Sequence, residues 1–228
     1  MASDARRAFQ KNCEDLDILL GIAREKDVAG DPTGEVVCRA AIVSIASYWE
    51  AYCEDIASEG LVHLVEYSEI DDLPAKLRRD LATDLKTDKN DIAVRALAGD
   101  GWRAALKKRL EDYTTKRNWS FNSPKPGQVD ELFDKALGIP RISASWKWNA
   151  PKSKRVNEPP TMTAAQARTT LTRYIELRGE IAHRGTARNP VTVADAEKFY
   201  EFINRLVAKT GGEVNKTVKG ATGLSLWD

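Results

Sequence analysis

The sequence predicts an all-α fold, a helical bundle with one long central helix and extra short helices inserted between the core helices. Apolar residues recur at alternating spacings of three and four through most of the 228 residues. No segment shows the two-residue alternation of a half-buried strand, and helix start and stop residues punctuate the periodic runs. Together these favour helix throughout.

Asp4 to about Lys26 places Phe9, Cys13, Leu16, Leu20 and Ala23 on one apolar stripe, and Gly30-Asp31-Pro32 breaks the run. The next helix, about Glu35 to Tyr67, carries two adjacent stripes, Val37 through Ile56 and Cys38 through Ala57. Most of its circumference is therefore apolar, which predicts the central position in a bundle. One narrow polar track interrupts it at Ser47, Glu50 and Glu54; carboxylates bordering a buried helix need partners, and Arg178 is an available one. His63 continues an apolar stripe and reads as a structural histidine.

Asp71-Asp72-Leu73-Pro74 looks like a helix start. Short helices are expected at about 74–86 and 91–98, with a longer one from Gly101 to near Lys116. Asn118 to Pro124 reads as an aromatic loop, and a helix from about Pro126 stops at Gly138. The stretch 139–160 is irregular. Thr163-Ala-Ala-Gln166 matches a capping box, so a helix is expected from Ala164 to Arg184, with Leu171, Tyr174, Ile175, Ile181 and Ala182 facing the core. After the Gly185 stop, Thr192-Val-Ala-Asp195 opens a last helix expected to end at Gly211-Gly212. The organisation expected is one helical domain over 1–210, with an inserted segment at about 70–160 and a flexible C-terminal tail at 211–228.

Composition bounds the function. With 42% hydrophobic and 30% charged residues and no apolar run of spanning length, no membrane segment is expected, and the start Met-Ala-Ser-Asp-Ala-Arg-Arg lacks an apolar signal core. A soluble, cytoplasmic protein is the expectation. Cys13, Cys38 and Cys53 lie within apolar helical patterns and read as buried thiols, not metal ligands. No metal and no cofactor is expected, since no His/Asp/Glu cluster has ligand spacing on one helix face. From Arg141 onward there are 15 Lys and Arg against 8 Asp and Glu, whereas the first 140 residues carry 20 against 26. The basic third invites a polyanion; an acidic half packing on a basic half, or on a partner chain, explains the same asymmetry.

Arg178 to Gly185 concentrates the candidate chemistry. His183 is one of two histidines and falls in the last helical turn, where partly satisfied carbonyls favour a protonated ring. At 100° per residue Arg178 points toward the core, and His183 points about 140° away from it. One straight helix does not bring the two side chains together. Earlier in the chain, Trp146, Lys147, Trp148, Lys152, Lys154 and Arg155 mix aromatic rings with cations. That combination can stack bases and hold phosphates, or place the tryptophans in the bundle and the cations in solvent.

At these residues the chain resembles the HEPN superfamily, and most closely its RiboL-PSP-type branch. The resemblance rests on the Arg-x4-His motif at Arg178 and His183, on Ser47-Tyr-Trp-Glu-Ala-Tyr-Cys-Glu-Asp55, on Phe121-Asn-Ser-Pro124 before Leu132-Phe133, and on Leu137-Gly-Ile-Pro140 leading to Trp146. It spans roughly Ala8 to Val207. The residue after the motif arginine, often Asn, Asp or His in the family, is here Gly179.

The resemblance implies a HEPN-like bundle that forms a homodimer, so that the late helices of two subunits line one composite cleft. It also implies a metal-independent endoribonuclease acting in toxin–antitoxin systems or phage defence, with RNA as substrate and an antitoxin or regulatory protein as a further partner. His183 would then supply acid–base catalysis and Arg178 the electrostatics. Glu50 or Glu54 would orient Arg178, and Arg184 with the Trp146–Arg155 cluster would bind RNA. The alternative of a different class is a non-catalytic helical dimer that binds RNA or a partner protein and uses Arg178 structurally.

Overall fold

The computed structural model describes residues 2–28, 30–87, 99–120, 123–149 and 161–227, except for the side chains of 84–87 and 112–120. Seven α-helices lie among the described residues: α1 (Asp4–Val28), α2 (Thr33–Tyr67), α3 (Ala75–Thr87), α4 (Gly101–Ser120), α5 (Pro126–Leu137), α6 (Ala164–Arg184) and α7 (Val193–Thr222). The fold is all-α, as the periodicity predicts. The helix expected at 91–98 lies outside the described residues, and so do Phe121 and Asn122 of the expected aromatic loop. Helix α4 runs on to Ser120, past the end expected near Lys116.

Helix α2 is the central element. Helices α1, α4, α5, α6 and α7 all pack on it, and its buried residues run from Cys38 through Ile42, Trp49, Tyr52 and Ile56 to Val65. Burial on so many sides follows from the double apolar stripe, because each stripe needs its own neighbour. Helix α1 folds back through Gly30, whose φ of +66° is the left-handed turn that glycine adopts without strain. Its stripe of Phe9, Cys13, Leu16, Leu20 and Ala23 is buried. Glu59 of α2 accepts hydrogen bonds from the amides of Asp4 and Ala5 at 3.2 and 3.0 Å, satisfying the open N–H groups where α1 begins.

The insertion between α2 and α6 is anchored by tryptophan. Trp146 is fully buried, meets Trp49 edge-on at 5.9 Å, and donates its indole N–H to Thr210 Oγ1 of α7 at 2.9 Å. Trp148 is 8% exposed, packs near Phe202, and forms an isolated backbone bridge with Met162. The base-stacking role considered for these two rings is therefore corrected: neither offers a face to a nucleotide. A Trp146→Ala variant is expected to lose about 3–5 kcal/mol of stability in denaturant unfolding, from the cavity it leaves and the orphaned Thr210 hydroxyl.

Helix α7 also corrects an expectation. It passes straight through Gly211 and Gly212 and stops only at Gly223, where φ is +73°. Two glycines end a helix when one turns left-handed; here neither does, because Val214, Val218 and Ala221 continue the buried stripe of Val207 at helical spacing. Gly211 serves packing instead. A Cβ there would lie 2.6 Å from the Tyr52 hydroxyl, which donates to the Val207 carbonyl at 2.9 Å. Beyond the helix, the Leu226 amide donates to Asn215 Oδ1, and Trp227 rests against the core. The segment 211–227 is thus packed structure and not a free tail.

The three cysteines are buried and unpaired. His63 is half-buried, with Tyr67 at 4.7 Å and Thr222 Oγ1 at 3.4 Å, and burial lowers its pKa. It fits the structural role expected of it. Among the described residues no helix is long and apolar enough to cross a membrane.

Candidate functional site on helix α6

Helix α6 is fixed at both ends by its own sequence. Thr163 Oγ1 accepts from the Gln166 amide while the Gln166 side chain accepts from the Thr163 amide, and Gly185 closes the helix at φ +70° with its amide on the Ile181 carbonyl. Leu171, Tyr174, Ile175 and Ile181 are buried, with Tyr174 stacked on Phe199 at 4.1 Å. Ala182, expected on the core side, is exposed: the core covers this helix as far as Ile181 and leaves the last turn open.

Arg178 lies on the core-facing side and is half-buried. Its Nε is shut off from solvent and has no hydrogen-bond partner among the described residues. An unsatisfied donor of this kind costs roughly 1–3 kcal/mol, more for a charged group, so the position is retained against a local penalty. Its charge acts on Glu50 of α2, which is half-buried, and Glu54, buried, lies one turn further along α2. Burial pushes the Glu50 carboxyl up to about 7; the Arg178 charge opposes that rise and the Glu54 charge adds to it. Arg178 and Glu50 are thus coupled through the field, with no hydrogen bond between them. Among the described residues no group of three or more His, Cys, Asp or Glu is placed to hold a metal ion.

The elevated Glu50 value has a stability consequence. The folded protein holds this proton more tightly than the unfolded chain does. The stabilising contribution is therefore fully present near the ordinary carboxylate value of 4.5, falls as pH rises to about 7, and stays absent above that. Glu50→Gln is expected to stabilise the protein at pH 8 and to leave stability unchanged near pH 4.5, as read by denaturant unfolding at the two pH values.

His183 is exposed in the last turn of α6, and Arg184 beside it is exposed as well. The chain therefore presents an imidazole to solvent on one side and a guanidinium half-sunk on another, in keeping with the divergence read from helical geometry. Lys147 is exposed, while Lys152, Lys154 and Arg155 lie outside the described residues.

A groove of about 680 Å³ runs between the start of α5 and the outer face of α6, lined by Lys125, Arg168, Thr169, Thr172, Arg173 and Glu176 among others. Lys125 precedes Arg168 and Arg173 by 43 and 48 residues in sequence, so only the packing of α5 on α6 brings it to them.

A family model described as RiboL-PSP-HEPN matches residues 8–216. The chain belongs to this HEPN family. The match runs through α7 beyond Gly211–Gly212, in agreement with the helix being part of the folded domain. No curated protein and no solved structure matches the chain. Arg178 and His183 stand five residues apart in the last two turns of α6. Gly179 follows the arginine with open space around it, since a Cβ built there meets nothing within 4 Å.

Proposed function

We propose that this HEPN protein is a metal-independent endoribonuclease that works as a homodimer, in a toxin–antitoxin or anti-phage setting. The observation that carries the reading is Arg178: a half-buried guanidinium whose charge acts on the Glu50 carboxyl and whose Nε meets no partner among the described residues, five residues before a solvent-facing imidazole. A group held at such cost on the family's motif position is suited to an anion that arrives later.

RNA brings its own nucleophile, the 2′-OH, so the protein needs to move protons and stabilise the crowded, negatively charged phosphorane. His183 takes the hydroxyl proton or gives one to the departing 5′ oxygen. Arg178 presents its donor fork to the nonbridging phosphate oxygens, oriented by the charges of Glu50 and Glu54. Because the two side chains diverge by about 140° on one helix, the working pair consists of Arg178 from one subunit and His183 from the other. Arg184 adds a cation beside the imidazole. The products are a 2′,3′-cyclic phosphate and a 5′-hydroxyl.

Incubating labelled RNA with the protein in EDTA tests this directly. Cyclic-phosphate ends are expected, and cleavage at the wild-type rate in His183→Ala would end the proposal. Gly179 favours a second reading, in which the site binds without cutting, because the position lacks the polar side chain common there in the family. In that case Arg178→Ala lowers stability or breaks the dimer while His183→Ala alters neither stability nor any RNA processing.

A further inference from the structure

We propose that the groove between α5 and α6 is a phosphate track that holds single-stranded RNA upstream or downstream of the cut. The inference rests on the nuclease reading above and extends it from the reacting linkage to the flanking strand.

Thr169, Thr172 and Glu176, which line the groove, lie within about 40° of His183 around the α6 axis. The groove and the imidazole therefore share one face of one straight helix. At 1.5 Å per residue the groove begins roughly 10 Å from His183 and ends roughly 21 Å from it. At about 3.4 Å per phosphate in a stacked strand, that span is on the order of three to six nucleotides.

Charge on this face favours an anion once existing pairs are accounted for. Glu176 is neutralised by Lys125 at 3.1 Å, Glu131 by Lys135, and Asp130 by Arg168 at 2.6 Å. Arg173 is left over. It is exposed, lies 5.3 Å above the Tyr174 ring, and has no acidic partner among the described residues. A phosphate draws Arg173 directly and competes with Glu176 for the partly exposed Lys125. Arg168, tied to Asp130 and Ser143, stays in place as a wall of the groove. The Thr169 hydroxyl adds a neutral donor, while the Thr172 hydroxyl donates to the Arg168 carbonyl at 3.0 Å; a wall of cations and a hydroxyl suits backbone binding without base preference.

The experiment measures binding of fluorescein-labelled single-stranded RNA to full-length protein in the non-cleaving His183→Ala background, with and without Lys125→Ala plus Arg173→Ala. Arg173 is exposed and Lys125 partly so, and thermal unfolding verifies that the fold survives. A 14-nucleotide RNA is expected to lose on the order of tenfold in affinity. Its log K against log salt slope becomes shallower by about 1.4, or about 0.7 per lost phosphate contact. A 3-nucleotide RNA, too short to reach the groove from the scissile position, is expected to bind both proteins equally. Unchanged affinity for the longer RNA, or equal losses for both lengths, overturns the track. Cleavage of the longer RNA by protein with an intact His183 reports on the nuclease reading separately, so the two can fail independently; absence of RNA binding by any variant overturns both.

Discussion

Replacing His183 by Ala is expected to reduce RNA cleavage by on the order of 10² to 10⁴, the range over which a positioned general acid–base contributes. The thermal midpoint is expected to stay where it is. His183 is exposed in the last turn of α6, so its removal opens no cavity and strands no buried partner. Parallel measurement of cleavage rate and thermal unfolding gives the signature: a large kinetic loss with no structural one. If the variant instead cuts at the wild-type rate, the proton transfers belong to another group.

Arg178→Ala is expected to lower cleavage by on the order of 10² to 10³, as loss of one preorganised electrostatic donor does. Unlike the histidine change, it also alters stability. Arg178 holds the Glu50 carboxyl down against burial, so without the cation that carboxyl moves above its value of about 7 and the destabilisation grows from neutral pH upward. Arg178→Lys separates the two roles. A lysine restores positive charge beside Glu50 and with it the stability, but it lacks the planar fork that meets two phosphate oxygens, so cleavage remains low. Stability and activity that recover together in the lysine variant would assign Arg178 to structure alone.

Helix α6 was legible almost to the residue because its boundaries are written in local chemistry. A capping box at Thr163 and a left-handed glycine at Gly185 act within one turn, whatever the rest of the chain does. The central place of α2 was legible for a different reason: apolar residues around most of a helix leave no side that solvent tolerates.

The misreadings share a cause. Gly211–Gly212 carries the local mark of a stop, but the decision is made by Tyr52, which needs the missing Cβ, and by Val214 and Val218, which have core to fill. The spacing of Val207, Val214, Val218 and Ala221 carries that information, against the local signal of the glycine pair. Trp146 and Trp148 sit among cations in sequence, and only the three-dimensional neighbours Trp49, Thr210 and Phe202 reveal them as core. Among the groove cations Lys125 caps the start of α5 while Arg168 and Arg173 lie on α6, and no spacing rule joins them.

In the candidate site, Arg178 pointing inward and His183 pointing outward followed from 100° per residue. The Glu50–Glu54 pair was legible as a polar track on an apolar helix, and the structure adds that burial and mutual repulsion keep Glu50 half-protonated near neutrality. The unsatisfied Arg178 Nε was not legible, since it depends on which donors the surrounding side chains happen to meet.

The measurement that most directly probes a site shared between subunits is complementation between two inactive proteins. Arg178→Ala and His183→Ala are each purified, mixed in equal amounts, allowed to exchange subunits, and assayed for RNA cleavage in EDTA. A mixed dimer with a composite site carries one intact Arg178–His183 pair and one doubly defective pair, so random exchange is expected to restore about a quarter of wild-type activity. A mixture no more active than its two components, with subunit exchange verified, would contradict the account.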